Sequence, residues 1–177
     1  MRLSDELKYD NPWIRVNKHE VLNPAGKPGE YGVIHFKHLA IGILPIDHEG
    51  NTWIVGQYRY PMDKYTWEIP EGGGKRNIDP LDSAKRELRE EAGIIANDWL
   101  EIQRMDLSNS ATDEHAILYL ARDLEFVEPE PDEDEQIQLK KLSFDELFQM
   151  VLDGEVIDSL SVAAVLKYKV MLDNNLI

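Results

Sequence analysis

The 177-residue chain has no cysteine, which removes disulfides, zinc–thiolate centres and thiol nucleophiles and makes a reducing cytoplasm the expected setting. Long apolar runs are missing too: no segment approaches the roughly 18 residues of a membrane-spanning helix. The opening MRLSDELKYDNPW lacks the basic and apolar regions of a secretion signal, so a soluble protein with no membrane partner is expected. Basic residues are scarce, with 19 Lys and Arg against 34 Asp and Glu, a formal charge of −15. That balance repels a nucleic-acid backbone, and no local basic patch offsets it, so nucleic acid is excluded as a partner. It leaves room for a phosphorylated small molecule if divalent cations stand between the two sets of negative charge. With no classical nucleophile constellation in the composition, water is the expected attacker.

The length suits one domain with a small appendage. WIRVNKHEVLNPAGKPGEYGVIHFKH reads as short strands punctuated at Asn23-Pro24 and Gly26–Gly29, so residues 1–38 form a β-rich N-terminal unit ahead of a main domain over 39–177. HLAIGILPID and NTWIVGQYRY are apolar, β-branched runs around HEGN, a composition that suits a hairpin. TWEIP is a further strand, and the three glycines after it read as a flexible loop. Asp79-Pro80 starts a helix, with Asp79 as N-cap and proline at the first helical position, and Gly93 stops it. Leu81, Ala84, Leu88 and Ala92 make its apolar stripe. LEIQRMDL, HAILYLARDL and IQLKKLS are strands. SFDELFQMVLDGEV is a helix with a capping box from Ser143 to Glu146, and SLSVAAVLKYKVML is a final amphipathic helix. Strands interleaved with helices predict a mixed α/β domain.

The first helix carries an unusual set of acids. At about 100° per residue, Glu87 and Glu91 lie roughly 40° apart and Glu90 about 60° from Glu87 on the other side, so the three share one sector beside the apolar stripe. Lys85 and Arg89 project from another flank, which leaves the negative charge incompletely neutralised. Like charges at these spacings cost a few tenths of a kcal/mol per pair (about 0.2–0.5), a sign that a hard divalent cation reverses. A solvated charged face is the plain alternative for such a run.

The wider pattern decides between them. Gly72 followed by RELREEAGI at 86–94 resembles the signature of the Nudix hydrolases, and GQYRYP, WEIPEGGG and TDEHAILYLA resemble the branch of ADP-ribose and nucleoside-diphosphate-sugar pyrophosphatases. The resemblance covers most of the chain. It implies a Nudix-type α/β/α sandwich with a mixed sheet and a small N-terminal β-rich extension, which in such relatives often crosses to the partner of a homodimer. It also implies Mg²⁺, with Mn²⁺ as substitute, held by Glu87, Glu90, Glu91 and the main-chain carbonyl of Glu71. Gly72 and Gly73 would admit the diphosphate to the backbone, while Arg86 orients a catalytic glutamate. Glu90 is counted among the catalytic groups as well as the ligands.

Close relatives draw a catalytic glutamate from a loop corresponding to EFVEPEPDEDEQIQL, and Glu135, then Glu133, fit that role best; a solvated acidic loop is the alternative for each. Arg59 is a candidate phosphate or ribose contact, against a salt bridge to one of the many acids. Glu114 resembles a residue placed near the substrate or across the dimer, His115 reads as a structural histidine, and Tyr58 and Trp67 read as core. One position departs from the pattern: Ile78 stands where the signature has its first glutamate, which removes a support for the box arginine, and Asp79 could replace it only in competition with its cap. The expected reaction is hydrolysis of a nucleoside diphosphate sugar to nucleoside monophosphate and sugar phosphate. Residues 105–112 lack the proline that often accompanies a preference for ADP-ribose, which weakens that substrate and leaves GDP-mannose, UDP-glucose and ADP-glucose types in play. The alternative, which Ile78 alone favours, is a non-catalytic nucleotide-sugar sensor.

Overall fold

The computed structural model describes residues 1–130 and 137–177. Its first 36 residues build a separate antiparallel sheet of β1 (Glu6–Asp10), β2 (Ile14–Leu22) and β3 (Pro28–Phe36), in that order. This sheet is tied to the rest through the turn after β8 (Ile94–Leu107). Ile34 N–H donates to Ala111 O at 2.9 Å, and Asp113 accepts from Phe36 N–H at 2.8 Å.

Two further sheets make the main body. β4 (His38–Pro45) lies between β7 (Glu71–Lys75) and β9 (Glu114–Phe126), with β8 beyond β9. β4 and β9 run parallel while the other pairs are antiparallel, so the sheet is mixed. β5 (Asn51–Arg59) is the centre of the other sheet, between β10 (Gln138–Ser143) and β6 (Lys64–Glu68). The hairpin expected across HEGN therefore does not form. The turn is there, but only the bridge Ile46–Thr52 joins its arms, and β4 and β5 separate into different sheets. The reason lies in their composition: a continuous apolar run is buried on both faces, and each such strand becomes the middle of its own sheet.

Side chains alternate across the four-stranded sheet. Ile41, Ile43, Ile117 and Tyr119 meet α1 (Pro80–Ala92) through Ala84, Leu88 and Ala92. Leu44, Ala116, Leu118 and Leu120 meet α3 (Ser159–Asp173) and α2 (Phe144–Leu152) through Leu160, Ala164, Val165 and Leu147 on the opposite face. The result is the α/β/α sandwich expected. Leu88 is fully buried, and truncating it to alanine would cost about 2–5 kcal/mol.

Local signals place the helix ends as read from the sequence. Asp79 accepts from Leu81 N–H, Pro80 opens α1, and Gly93 closes it in the left-handed region at φ 62°. The Ser143–Glu146 capping box opens α2. α3 is less amphipathic than its sequence suggested, since Leu166, Val170 and Leu172 remain exposed. Tyr58, read as core, is likewise exposed and bonds Asp63, whereas Trp67 packs against the core.

Candidate active site

The three glycines form a strand rather than a loose loop. Gly72, Gly73 and Gly74 pair with Ile41, Ala40 and Leu39 along β7 and β4. Their lack of side chains is used for approach. A Cβ on Gly72 would collide with the Glu87 carboxylate, and one on Gly74 would come within 2.9 Å of Ile41 Cγ1. Helix α1 thus lies directly against bare backbone, and Glu87 is lodged there at 8% exposure, with Glu91 beside it at 5%. Glu91 Oε2 accepts the N–H of Glu71 at 2.9 Å, so the helix and the glycine strand are joined at the site itself.

Arg86 binds the box together. Its Nη1 donates to Glu90 Oε2 and its Nη2 to Glu87 Oε1, both at 2.5 Å, and Nη2 reaches Gly73 O at 3.3 Å. The acids are therefore more neutralised than Lys85 and Arg89 alone would make them, because Arg86 reaches both Glu87 and Glu90. Arg89 does point elsewhere, toward Glu130. Ile78 sits half-exposed near Arg86, and Asp79 is committed to the helix cap, so Asp79 does not replace the missing glutamate.

A second charged group adjoins the first. Arg59 donates through Nε to Glu68 Oε2 at 3.1 Å and through Nη2 to Glu68 Oε1 and, at 2.8 Å, to Glu71 Oε1. Gln57 adds a bond to Glu68 at 2.7 Å. Burial works against the charge on Arg59, but Glu68 and Glu71 outweigh it and hold the guanidinium protonated. Glu71 fares differently. Burial first, then the negative charges of Asp158 and Glu68, push its pKa well above the ordinary carboxylate range despite Arg59. Its Oε2 is buried and takes no hydrogen bond from a described residue.

Arg59 and Glu71 line a cleft of about 440 Å³ together with Gly72, Gly73, Trp13 and Asp158. It shares Trp13, His38, Glu71, Gly72 and Gly73 with a hollow of about 530 Å³ containing Arg86, Glu87 and Glu90. Glu114 is half-buried in the first wall, with its pKa raised by burial. His115 is paired with Asp106 at 2.7 Å. Glu133 and Glu135 fall outside the described residues.

Trp13 and Asp158 escaped the sequence reading. Trp13 lies between β1 and β2, where Asn11 Oδ1 accepts its N–H at 2.9 Å, and its ring stands 5.5 Å from that of His38. Its place over the site follows from packing of the N-terminal sheet, for which the sequence carries no local signal. Asp158 does carry one, an Asp-Ser pair ahead of an apolar run, which marks a helix cap but not its neighbours.

A family model described as the NUDIX domain matches residues 36–162, and one described as the nucleoside diphosphate sugar hydrolase N-terminal domain matches residues 2–34. The chain belongs to the Nudix family. An ADP-ribose pyrophosphatase of Bacillus subtilis is 30% identical over 92% of this chain and 89% of its own length. A methanol dehydrogenase activator of Bacillus methanolicus is similar at 30%, over 92% of this chain and 89% of its own. Among solved structures, one described as an ADP compounds hydrolase shares the fold, with a TM-score of 0.88 at 19% identity, covering 99% of this chain and 95% of that one.

The protein is thus a Nudix hydrolase, and Nudix hydrolases use a divalent metal. The donor set fits one: Glu71, Glu87, Glu90 and Glu91 offer hard oxygens, and Glu71 Oε2 is buried and accepts no hydrogen bond from an N–H or hydroxyl among the described residues. Among the described residues no three His, Asp or Glu side chains form a ready-made shell. Mg²⁺ does not demand one, since it keeps several waters and takes one or two carboxylates with the substrate's phosphate oxygens.

Proposed function

We propose that this Nudix hydrolase cleaves the diphosphate of a nucleoside diphosphate sugar, of the GDP-mannose, UDP- or ADP-glucose or ADP-ribose type, to nucleoside monophosphate and sugar phosphate. Mg²⁺ is its working metal and Mn²⁺ a substitute. The observation that carries the reading is the seating of Glu87 against Gly72 with Glu91 bonded to the Glu71 N–H, which puts acidic side chains and open backbone at one cleft. The similarity over nearly the full length to an ADP-ribose pyrophosphatase supports it.

In this reading Glu87, Glu90, Glu91 and the Glu71 carbonyl hold the metal, which when bound polarises phosphoryl oxygens and lowers the pKa of a water. Gly72 and Gly73 are the substrate-side backbone: Gly72 leaves its Cβ space to the Glu87 carboxylate, and Gly73, with nothing nearer to its Cβ position than His38 at 3.8 Å, admits the diphosphate. Arg86 keeps Glu87 and Glu90 in place and is a positioning residue. Glu135, or else Glu133, is the base that takes the water's proton. Trp13 offers an exposed aromatic face to a base at the cleft mouth. We further infer a cytoplasmic homodimer, supported by the absence of cysteine and by Leu7, Tyr9 and Tyr31 exposed on the N-terminal sheet.

The test is a panel of nucleotide sugars, ADP-ribose and dinucleoside polyphosphates, each with Mg²⁺ and with chelator, followed by identification of products. Metal-dependent release of nucleoside monophosphate and sugar phosphate is expected. Binding of nucleotide sugars without turnover would favour a sensor instead. Retention of Glu87, Glu90 and Glu91, a carboxylate trio a sensor would have little reason to keep, argues against that outcome.

A further inference from the structure

Both arginines that line the site are already engaged by carboxylates, Arg59 by Glu68 and Glu71 and Arg86 by Glu87 and Glu90. Lys75 is not. It lines the hollow that holds Arg86, Glu87 and Glu90, it is exposed, and it forms no ion pair among the described residues. We propose that Lys75 is a further binding residue of this site, its ammonium pairing with phosphate oxygens of the bound diphosphate on the face of the glycine strand turned away from the box acids. The inference rests on the diphosphate-cleaving reading of the same site.

The strand geometry sets where Lys75 acts. Gly72 and Gly74 turn their Cβ positions toward α1, to Glu87 in one case and to Ile41 and Ser83 in the other, while that of Gly73 meets only His38. Successive residues of a strand face opposite ways, so Lys75 shares the open face of Gly73, with His38 as its cross-strand partner. Two positions along a strand are about 6.6 Å, a span that the four-carbon lysine stem can lean back across. The ammonium can therefore reach a diphosphate lying over Gly73. Among the described lining residues it is the one ammonium or guanidinium without a carboxylate partner.

The departure at position 78 bears on the same side chain. Ile78 N–H donates to Lys75 O at 3.0 Å, closing a turn that brings position 78 next to Lys75 on the wall of the hollow. A glutamate there would offer Lys75 a carboxylate across the turn. Isoleucine offers none, and the charge stays available to substrate.

The test uses methylenediphosphonate, a diphosphate mimic whose bridge water does not cleave, titrated calorimetrically in Mg²⁺ into wild type, Lys75→Gln and Lys75→Arg. Removing the charge should weaken binding about tenfold, as for loss of one charge-assisted hydrogen bond, and flatten its salt dependence. Lys75→Arg keeps the charge and should stay within about threefold of wild type. Ile78→Glu should weaken binding severalfold in the wild type and have little effect in the Lys75→Gln background, a coupling that a merely structural role would not produce. With ADP-ribose and UDP-glucose, Lys75→Gln should raise KM about tenfold and nearly keep kcat, the pattern of a contact made equally in ground and transition states. A wild type that does not bind the mimic, a Lys75→Gln variant that binds it as tightly as wild type, or an Ile78→Glu penalty undiminished without the lysine would overturn the proposal. Failure of the diphosphate-cleaving reading looks different: neither nucleotide sugar would be turned over by the wild type, and calorimetry would still decide on Lys75.

Discussion

Arg59 and Arg86 each hold two carboxylates a few residues apart in the same cleft, and they differ in how far water reaches them. Arg59 is 35% exposed against Glu68 at 2% and Glu71 at 14%, whereas Arg86 is 47% exposed against Glu87 at 11% and Glu90 at 32%. Removing one member of a buried pair leaves an uncompensated charge, at about 3–5 kcal/mol, while an exposed pair contributes only about 0–1 kcal/mol. The Arg59 group is therefore structural as well as polar, a fixed frame for the cleft. The Arg86 group is softer, and its carboxylates can exchange a guanidinium hydrogen bond for another cation at little cost in stability.

The largest expected effect follows from the first half of that contrast. Arg59→Ala strands Glu68 and Glu71 and should lower stability by about 3 kcal/mol, read as a fall in denaturant midpoint. A loss below about 1 kcal/mol would erase the distinction between the two arginines. Arg86→Ala should change stability by under about 1 kcal/mol yet lower kcat about 10- to 100-fold, as expected when the partner orienting a metal ligand is removed. Equal losses in stability and activity would show that Arg86 too is mainly structural.

A smaller effect sharpens the comparison through pH. Because the folded protein raises the Glu71 pKa, that carboxyl's contribution is fully present below the ordinary carboxylate range and is lost as pH climbs through the raised value. Glu71→Gln removes this titration. In chelator its melting temperature should match the wild type near pH 4 and exceed it by a few degrees above neutrality. A gain that shrinks as pH rises would contradict the assignment of burial and Asp158 as the cause.

How much of this could be read in advance depended on the range of the interaction. Helix α1 was legible because its cap, its proline, its apolar stripe and its terminating glycine all act within one turn of their own position. The capping box of α2 was legible for the same reason. The glycine strand was misread because its residues prefer no conformation of their own, and their role is set by Glu87 and Ile41 arriving from elsewhere. Tyr58 was misplaced because an aromatic in an apolar strand reads as core whether or not its face is covered. Asp158 is brought beside Glu71 by the packing of α3, where the Ser161–Ile69 bond spans 92 positions, a contact that no local pattern carries.

The box acids are the centre of the account, and Glu91 tests them most directly because it joins helix α1 to the glycine strand and stands among the carboxylates assigned to the metal. The measurement is the initial rate of nucleoside diphosphate sugar hydrolysis against Mg²⁺ concentration for the wild type and Glu91→Gln, with products identified. The wild type should form nucleoside monophosphate and sugar phosphate only with metal, and Glu91→Gln, whose amide is a poorer ligand, should lose about 100-fold or more without rescue at saturating Mg²⁺. Turnover by Glu91→Gln at the wild-type rate, or wild-type turnover untouched by chelator, would contradict it.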